Sequence, residues 1–171
     1  MIANRPLVLR SNRFLGAALT DAGLILNEDL EAANEKVLQA VQKEDPRGAN
    51  LLNILLYDLQ KLDEPALIDE TLEQHDIGVI DLANYDLSFL TETEVSFSIC
   101  WSTFTVPFDC VENFTMIATA YYLSKPTIDF WESQFDGPII WYVSSVASIA
   151  DALARAETEI EAKSNEKKGA T

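Results

Sequence analysis

Apolar residues recur at helical spacing from Ser11 to Asp76, and the pattern occurs twice, offset by 37 residues. Leu15 aligns with Leu52, Leu19 with Leu56, Ala22 with Leu59, Ile25 with Leu62 and Leu30 with Leu67. A helix–turn–helix unit cannot bury its apolar face alone, so two tandem copies must pack on each other. In the first copy Leu15, Leu19 and Ala22 line one helix face, and Gly23 is placed to end that helix in a left-handed cap. Asn27 stands where the next helix needs a cap, and Glu28 and Asp29 oppose the positive end of its dipole. Its stripe is Leu30, Ala33, Val37 and Val41, and Glu44–Asn50 reads as a loop. In the second copy Leu52, Leu55, Leu56 and Leu59 share a face. Asp63 then caps a helix with Pro65 in its first turn and Leu67, Ile68 and Leu72 on its buried side.

Beyond Asp76 the period changes. Ile77–Leu82 is a short apolar run suited to a strand. Phe104–Cys110 and Phe114–Tyr122 are rich in β-branched and aromatic residues and flank a hairpin turn at Val111–Asn113. Between them and the repeat, Val95, Phe97 and Ile99 alternate like a strand. Thr91-Glu92-Thr93-Glu94 nevertheless reads as the first turn of a helix capped by Thr91, and that reading is preferred. Lys125–Gln134 reads as a helix entered through Pro126, Asp136-Gly137-Pro138 as a turn, and Ile139–Val143 as a strand. Ser144 or Ser145 caps a last helix with Val146, Ile149, Ala150 and Leu153 inward.

The predicted fold class is therefore α+β: four helices in two helix–turn–helix repeats, then a small α/β part with three or four strands. The divisions are an N-terminal arm at 1–11, the helical repeat at 12–76, the α/β part at 77–161 and a flexible charged tail at 162–171. With 48% hydrophobic and 23% charged residues in 171, the chain is globular. Its net charge of −16 excludes nucleic acid as a partner, because phosphate binding needs a basic surface. No apolar run is long enough for direct membrane insertion, and Arg5, Arg10 and Arg13 precede no signal-peptide core. Cys100 and Cys110 form no metal or redox motif and read as free thiols, which makes the cytoplasm the expected location.

Phe14-Leu15-Gly16-Ala17-Ala18-Leu19, Gly23-Leu24-Ile25, Leu30 and Ala33 resemble the "RLGxxLxxxGxIxxxxLxxAL" half-motif. That motif belongs to the N-terminal domains of type II secretion and type IV pilus assembly ATPases, a family that includes the MshEN branch and carries it twice. Val79-Ile80-Asp81-Leu82 is similar to the strand that follows the second copy, and Thr105-Val106-Pro107-Phe108 and Phe114–Ala120 to later strands. The resemblance covers roughly residues 12–160. It implies a domain that docks onto cytoplasmic parts of a secretion or pilus machine and, in the MshEN branch, binds cyclic-di-GMP. Carried over by position, the nucleotide set is Arg13, Leu15, Gly16, Leu19, Gly23, Leu30 and Gln74. The motif's arginines are replaced by Phe14 and Leu51, its second-copy glycines by Asn53 and Gln60, and its first-copy glutamine by Val37. The leucine scaffold has survived better than the charge-assisted contacts of a phosphate site.

No Walker A sequence, GxSxG or HExxH occurs. His75 reads as a helix-end residue and the acidic pairs as a solvated face. No catalytic residue, metal site or cofactor is expected, and the chain reads as non-enzymatic. Phe130, Trp131, Trp141 and Tyr142 offer more aromatic surface than one small sheet hides and are candidates for a protein-binding patch. Three functions follow: an adaptor or regulator binding a protein component of a secretion, pilus or motility machine; a cyclic-di-GMP sensor; or an oligomerisation module.

Overall fold

Asn4 and Pro6 start the first helix well before the apolar repeat begins. Asn4 lies outside the helix and accepts a hydrogen bond from Leu7 N at 3.2 Å, and Pro6 fits the first turn, where no N–H partner is needed. In this computed structural model, which describes residues 1–121 and 124–169, helix α1 therefore spans Arg5–Asp21. The expected arm at 1–11 is mostly helix. Ile2 is buried, Ala3 N donates to Ser98 Oγ at 2.9 Å, and Ile2 N donates to Glu44 Oε2. That last bond, together with Arg5, holds the Glu44 carboxyl below its usual range.

Helix α1 ends as the repeat predicts. Gly23 is left-handed at φ +71, Gly23 N donates to Thr20 O and Leu24 N to Leu19 O, the two bonds of a Schellman cap. Helix α2 (Asn27–Gln42) follows, but Asn27 is its first residue and not its cap. Asp29 instead reaches back to accept from Leu26 N at 3.3 Å. The second copy departs more. Asn50 caps a single α-turn, α3 (Leu51–Asn53), which widens into a π-helical turn at Ile54–Asp58 before α4 (Glu64–Gln74). Widening turns Leu51, Leu52, Ile54 and Leu55 all inward. The turn position is nonetheless kept: Gln60, the counterpart of Gly23, is also left-handed at φ +52.

The second half consists of β1 (Gly78–Val79), α5 (Ser88–Glu92), α6 (Phe97–Thr103), β2 (Thr105–Val111), β3 (Phe114–Thr119), α7 (Lys125–Gln134), β4 (Ile139–Val143) and α8 (Val146–Gly169). The sheet order is β1-β4-β3-β2, with β2 and β3 antiparallel and the other pairs parallel. The architecture is thus α+β, as expected, with differences in detail. The strand expected over 77–82 is two residues long, because Leu82 turns into the core and its N–H bonds Ser148 Oγ. The preferred helix near Thr91 is two helices. Thr91 lies inside α5, where its Oγ1 donates to Ser88 O, and the chain breaks before Phe97 starts α6. Helix α8 is capped by Ser145 Oγ, which accepts from Ser148 N, and continues to Gly169 instead of fraying near Ala162. Its Ala, Glu and Lys favour helix, and Lys163 bridges Glu159 at 2.7 Å. The expected strand end at Tyr122 and tail residues 170–171 lie outside the described residues.

The two halves share one core. Leu15, Leu19, Val37, Leu52 and Leu67 join Phe108, Ile117, Trp131 and Leu153 in a single buried cluster. Buried polar groups direct the packing around α1. Asn12 Nδ2 donates to Val8 O and Ala49 O, and its Oδ1 accepts from Leu51 N at 2.9 Å, fastening α1 to the second copy. Asn50 Nδ2 donates to Ser102 O in α6. On the other side of α1, Ser11 Oγ meets Thr127 Oγ1 of α7 at 3.0 Å, and Thr127 also meets Tyr121 and Ser124.

Two variants test this account. Asn12→Ala strands the Ala49 carbonyl and the Leu51 amide in the core and is expected to lower unfolding free energy by about 3 kcal/mol in urea denaturation. Gln60→Gly relieves a left-handed strain of about 1–2 kcal/mol but adds about 0.5–1 kcal/mol of unfolded-state entropy, so a gain of up to about 1 kcal/mol is expected.

Candidate functional site

Helix α1 presents three faces, and the residues predicted to hold a nucleotide fall on different ones. Leu15 and Leu19 are fully buried in the core. Arg13 and Gly16 lie on the face toward α2, where they line an open groove of about 500 Å³ with Leu30, Asn34, Val37 and Leu38. Gln74 lies at the end of α4, in a separate groove of about 400 Å³ that meets the first at Ala17, with Phe14, Asp21 and Glu70. Gly23 is exposed beyond the helix end. The structure therefore brings together Arg13, Gly16 and Leu30 and separates them from Gln74.

Within the α1–α2 groove, Gly16 is occupied by packing. A Cβ at Gly16 would lie 2.6 Å from Leu30 Cδ1 and 3.3 Å from Leu51 Cδ2, so the missing side chain lets these leucines close over α1. Arg13 is the groove's one cation and forms no ion pair among the described residues. The motif's glutamine position, Val37, adds another apolar wall. One guanidinium over an apolar floor offers a single charge-assisted anchor where a phosphate site needs several.

No protein family matches the sequence, and no curated protein matches it. Solved structures do. The N-terminal domain of XpsE aligns with a TM-score of 0.53 over 81% of this chain and 91% of that one, at 17% identity. This chain has the fold of that domain. A structure of MshE with c-di-GMP matches 83% of this chain and 97% of that one, at 19% identity and a TM-score of 0.49.

On this fold the four aromatic residues expected to form a protein-binding patch divide as well. Trp131 is core: it is 1% exposed, its Nε1 donates to Thr105 Oγ1 at 2.9 Å, and it stacks on Phe135. Helix α7 has to bury it to cover the sheet. Phe130 is half-buried against Trp131 and lines a shallow groove with Phe14, Arg10, Lys125 and Pro126. Trp141 and Tyr142 sit on β4, a central strand of the sheet. Neighbouring residues of a strand face opposite ways, so the two cannot share a patch. Tyr142 packs edge-on against Phe108 at 5.6 Å.

Other apolar side chains are exposed instead. On the helices these are Leu9, Phe14, Leu38 and Tyr57, before α2 Leu26, and on the sheet Val79, Val111, Phe114 and Ile140. The strand residues stand in or beside short apolar runs, and nothing local to them marks where the covering helices stop. The charge is divided too. From Leu62 to Ala154 Lys125 is the only Lys or Arg, and it bridges Asp129 at 2.9 Å. Nearly all of the net charge of −16 arises in that span. His75, expected at a helix end, is the C-cap of α4, and its N–H donates to Thr71 O.

Proposed function

We infer that this domain is a non-enzymatic docking module that binds a protein component of a secretion, pilus or motility machine. The fold, that of secretion-ATPase N-terminal domains, supports the setting. The observation that carries the reading is the fate of the repeat's residues. Leu15, Leu19, Leu52 and Leu67 are spent on the core, Gly16 on helix packing, and the polar positions are dispersed. Apolar side chains meanwhile remain at the surface of a strongly acidic chain, a combination suited to a basic or amphipathic protein surface.

Two outcomes are expected. Chemical cross-linking of the tagged chain in its native cells, followed by affinity recovery, should return a component of such a machine; repeated recovery of none contradicts the docking reading. The nucleotide reading keeps one favourable observation, the shared groove of Arg13, Gly16 and Leu30. Docking without a nucleotide predicts no calorimetric heat with cyclic-di-GMP up to about 100 μM ligand. A saturating isotherm that Arg13→Ala abolishes would establish the sensor reading instead.

A further inference from the structure

The two edges of the sheet are treated differently. At one edge, β2 carries Pro107, which has no N–H to offer, and a bulge between Pro107 and Asp109, and α5 packs along it. Tyr85 OH donates to Asp109 Oδ2 at 2.7 Å and pins the segment before α5 to the strand. Helix, proline and bulge are the devices that keep an edge from pairing with another chain. At the other edge, β1 has none of them. Both of its residues are exposed, Val79 at 62%, and the run Ile77-Gly78-Val79-Ile80 holds no lysine, proline or bulge.

The hydrogen-bonding groups of this edge can be assigned. Ile80 N donates to Val143 O at 2.9 Å, so Ile80 and, two residues earlier, Gly78 direct their peptide groups toward β4. The N–H and C=O of Val79 therefore point outward. Asp76 and Asp81 stand exposed at either end of the run, and neither forms an ion pair among the described residues. No Lys or Arg occurs from Leu62 to Ser124, and Arg155, whose guanidinium reaches the Leu82 and Tyr85 carbonyls beside Asp81, is already paired with Asp151 at 2.8 Å.

We propose that β1 is a strand-addition site for an extended segment of a partner protein in which lysine or arginine flanks one or two apolar residues. Main-chain bonds to Val79 align the segment, its apolar residues cover Ile77 and Val79, and its cations meet Asp76 and Asp81. A second copy of this chain is a poor occupant. Antiparallel pairing about Val79 would gather Asp76 and Asp81 of both chains into one short ladder, four carboxylates beside a guanidinium, that of Arg155, already paired with Asp151. The proposal rests on the docking reading and specifies its surface.

The test uses the full chain and a blocked seven-residue peptide alternating lysine with valine, beside the same peptide with glutamate for lysine. The lysine peptide is expected to bind and to slow hydrogen exchange at the Val79 amide, with Val79→Pro weakening binding by about tenfold or more and Val79→Thr retaining it. The glutamate peptide should not bind. Val79 N–H takes no part in pairing with β4, so Val79→Pro should keep the wild-type melting temperature. The proposal is overturned if the peptide fails to bind, if binding leaves Val79 exchange unchanged, or if a folded Val79→Pro binds as wild type does. Cross-linked recovery separates the two readings: a machine component recovered equally by wild type and Val79→Pro keeps docking and rejects this edge, whereas none recovered by wild type rejects docking itself.

Discussion

The side-chain amide of Asn12 fixes how the two copies of the helical repeat meet. Buried on α1, it donates to the Ala49 carbonyl and accepts from the Leu51 amide, so it grips the peptide groups on both sides of Asn50. Asn50 in turn caps α3 and reaches Ser102 in α6. Leucine stripes alone would let one helix slide along another at little cost, since apolar contact is non-directional. A buried amide with every group satisfied allows one register. One residue earlier, Ser11 makes the corresponding link to Thr127 of α7, and Trp131 one turn further along α7 bonds Thr105 of β2. A single turn of α1 thereby holds the repeat on one side and the sheet on the other.

This arrangement explains why a chain that reads as two parts folds around one core. It also accounts for where the residues of the resembling motif are placed. Where Gly16 could bring backbone close to a bound molecule, it brings Leu30 and Leu51 close to α1. Where the family's second arginine would stand, Leu51 is fully buried. What remains available for function is the outer surface: scattered apolar side chains, three open grooves along α1, and a sheet with one guarded edge and one open edge.

Much of this was legible in the residues. The 37-residue offset, the turn at Gly23, the β2–β3 hairpin, the cap of α4 at Asp63 and the sheet–helix order all follow from local pattern. One miss is local and the others depend on distant contacts. Helix α1 begins at Arg5 because Asn4 caps it, a signal masked by the arginines around it. The second copy becomes a π turn because burial of Leu51, Leu52, Ile54 and Leu55 outweighs regular helix geometry, and no spacing rule reveals that. The aromatic residues misled for a related reason. Trp131 is core because it faces the sheet from α7, whereas Trp141 and Tyr142 are neighbours on β4 and so lie on opposite faces of it. Val79 and Ile140 stand in apolar runs that read as strands, yet both are exposed.

The central claim, that α1 unites both halves into one cooperative unit, is tested most directly by equilibrium unfolding in urea followed with two local probes. Trp101, Trp131 and Trp141 all lie in the second half, but Arg47 of the helical half lies 4.1 Å over the Trp101 ring, so the fluorescence of Trp131 and Trp141 in a Trp101→Phe variant reports the second half. Amide resonances of Val37 and Leu52 report the helical repeat. Coincident transitions with the same midpoint and slope are predicted. A helical repeat that melts at lower urea than the tryptophan signal, or persists beyond it, would contradict the account.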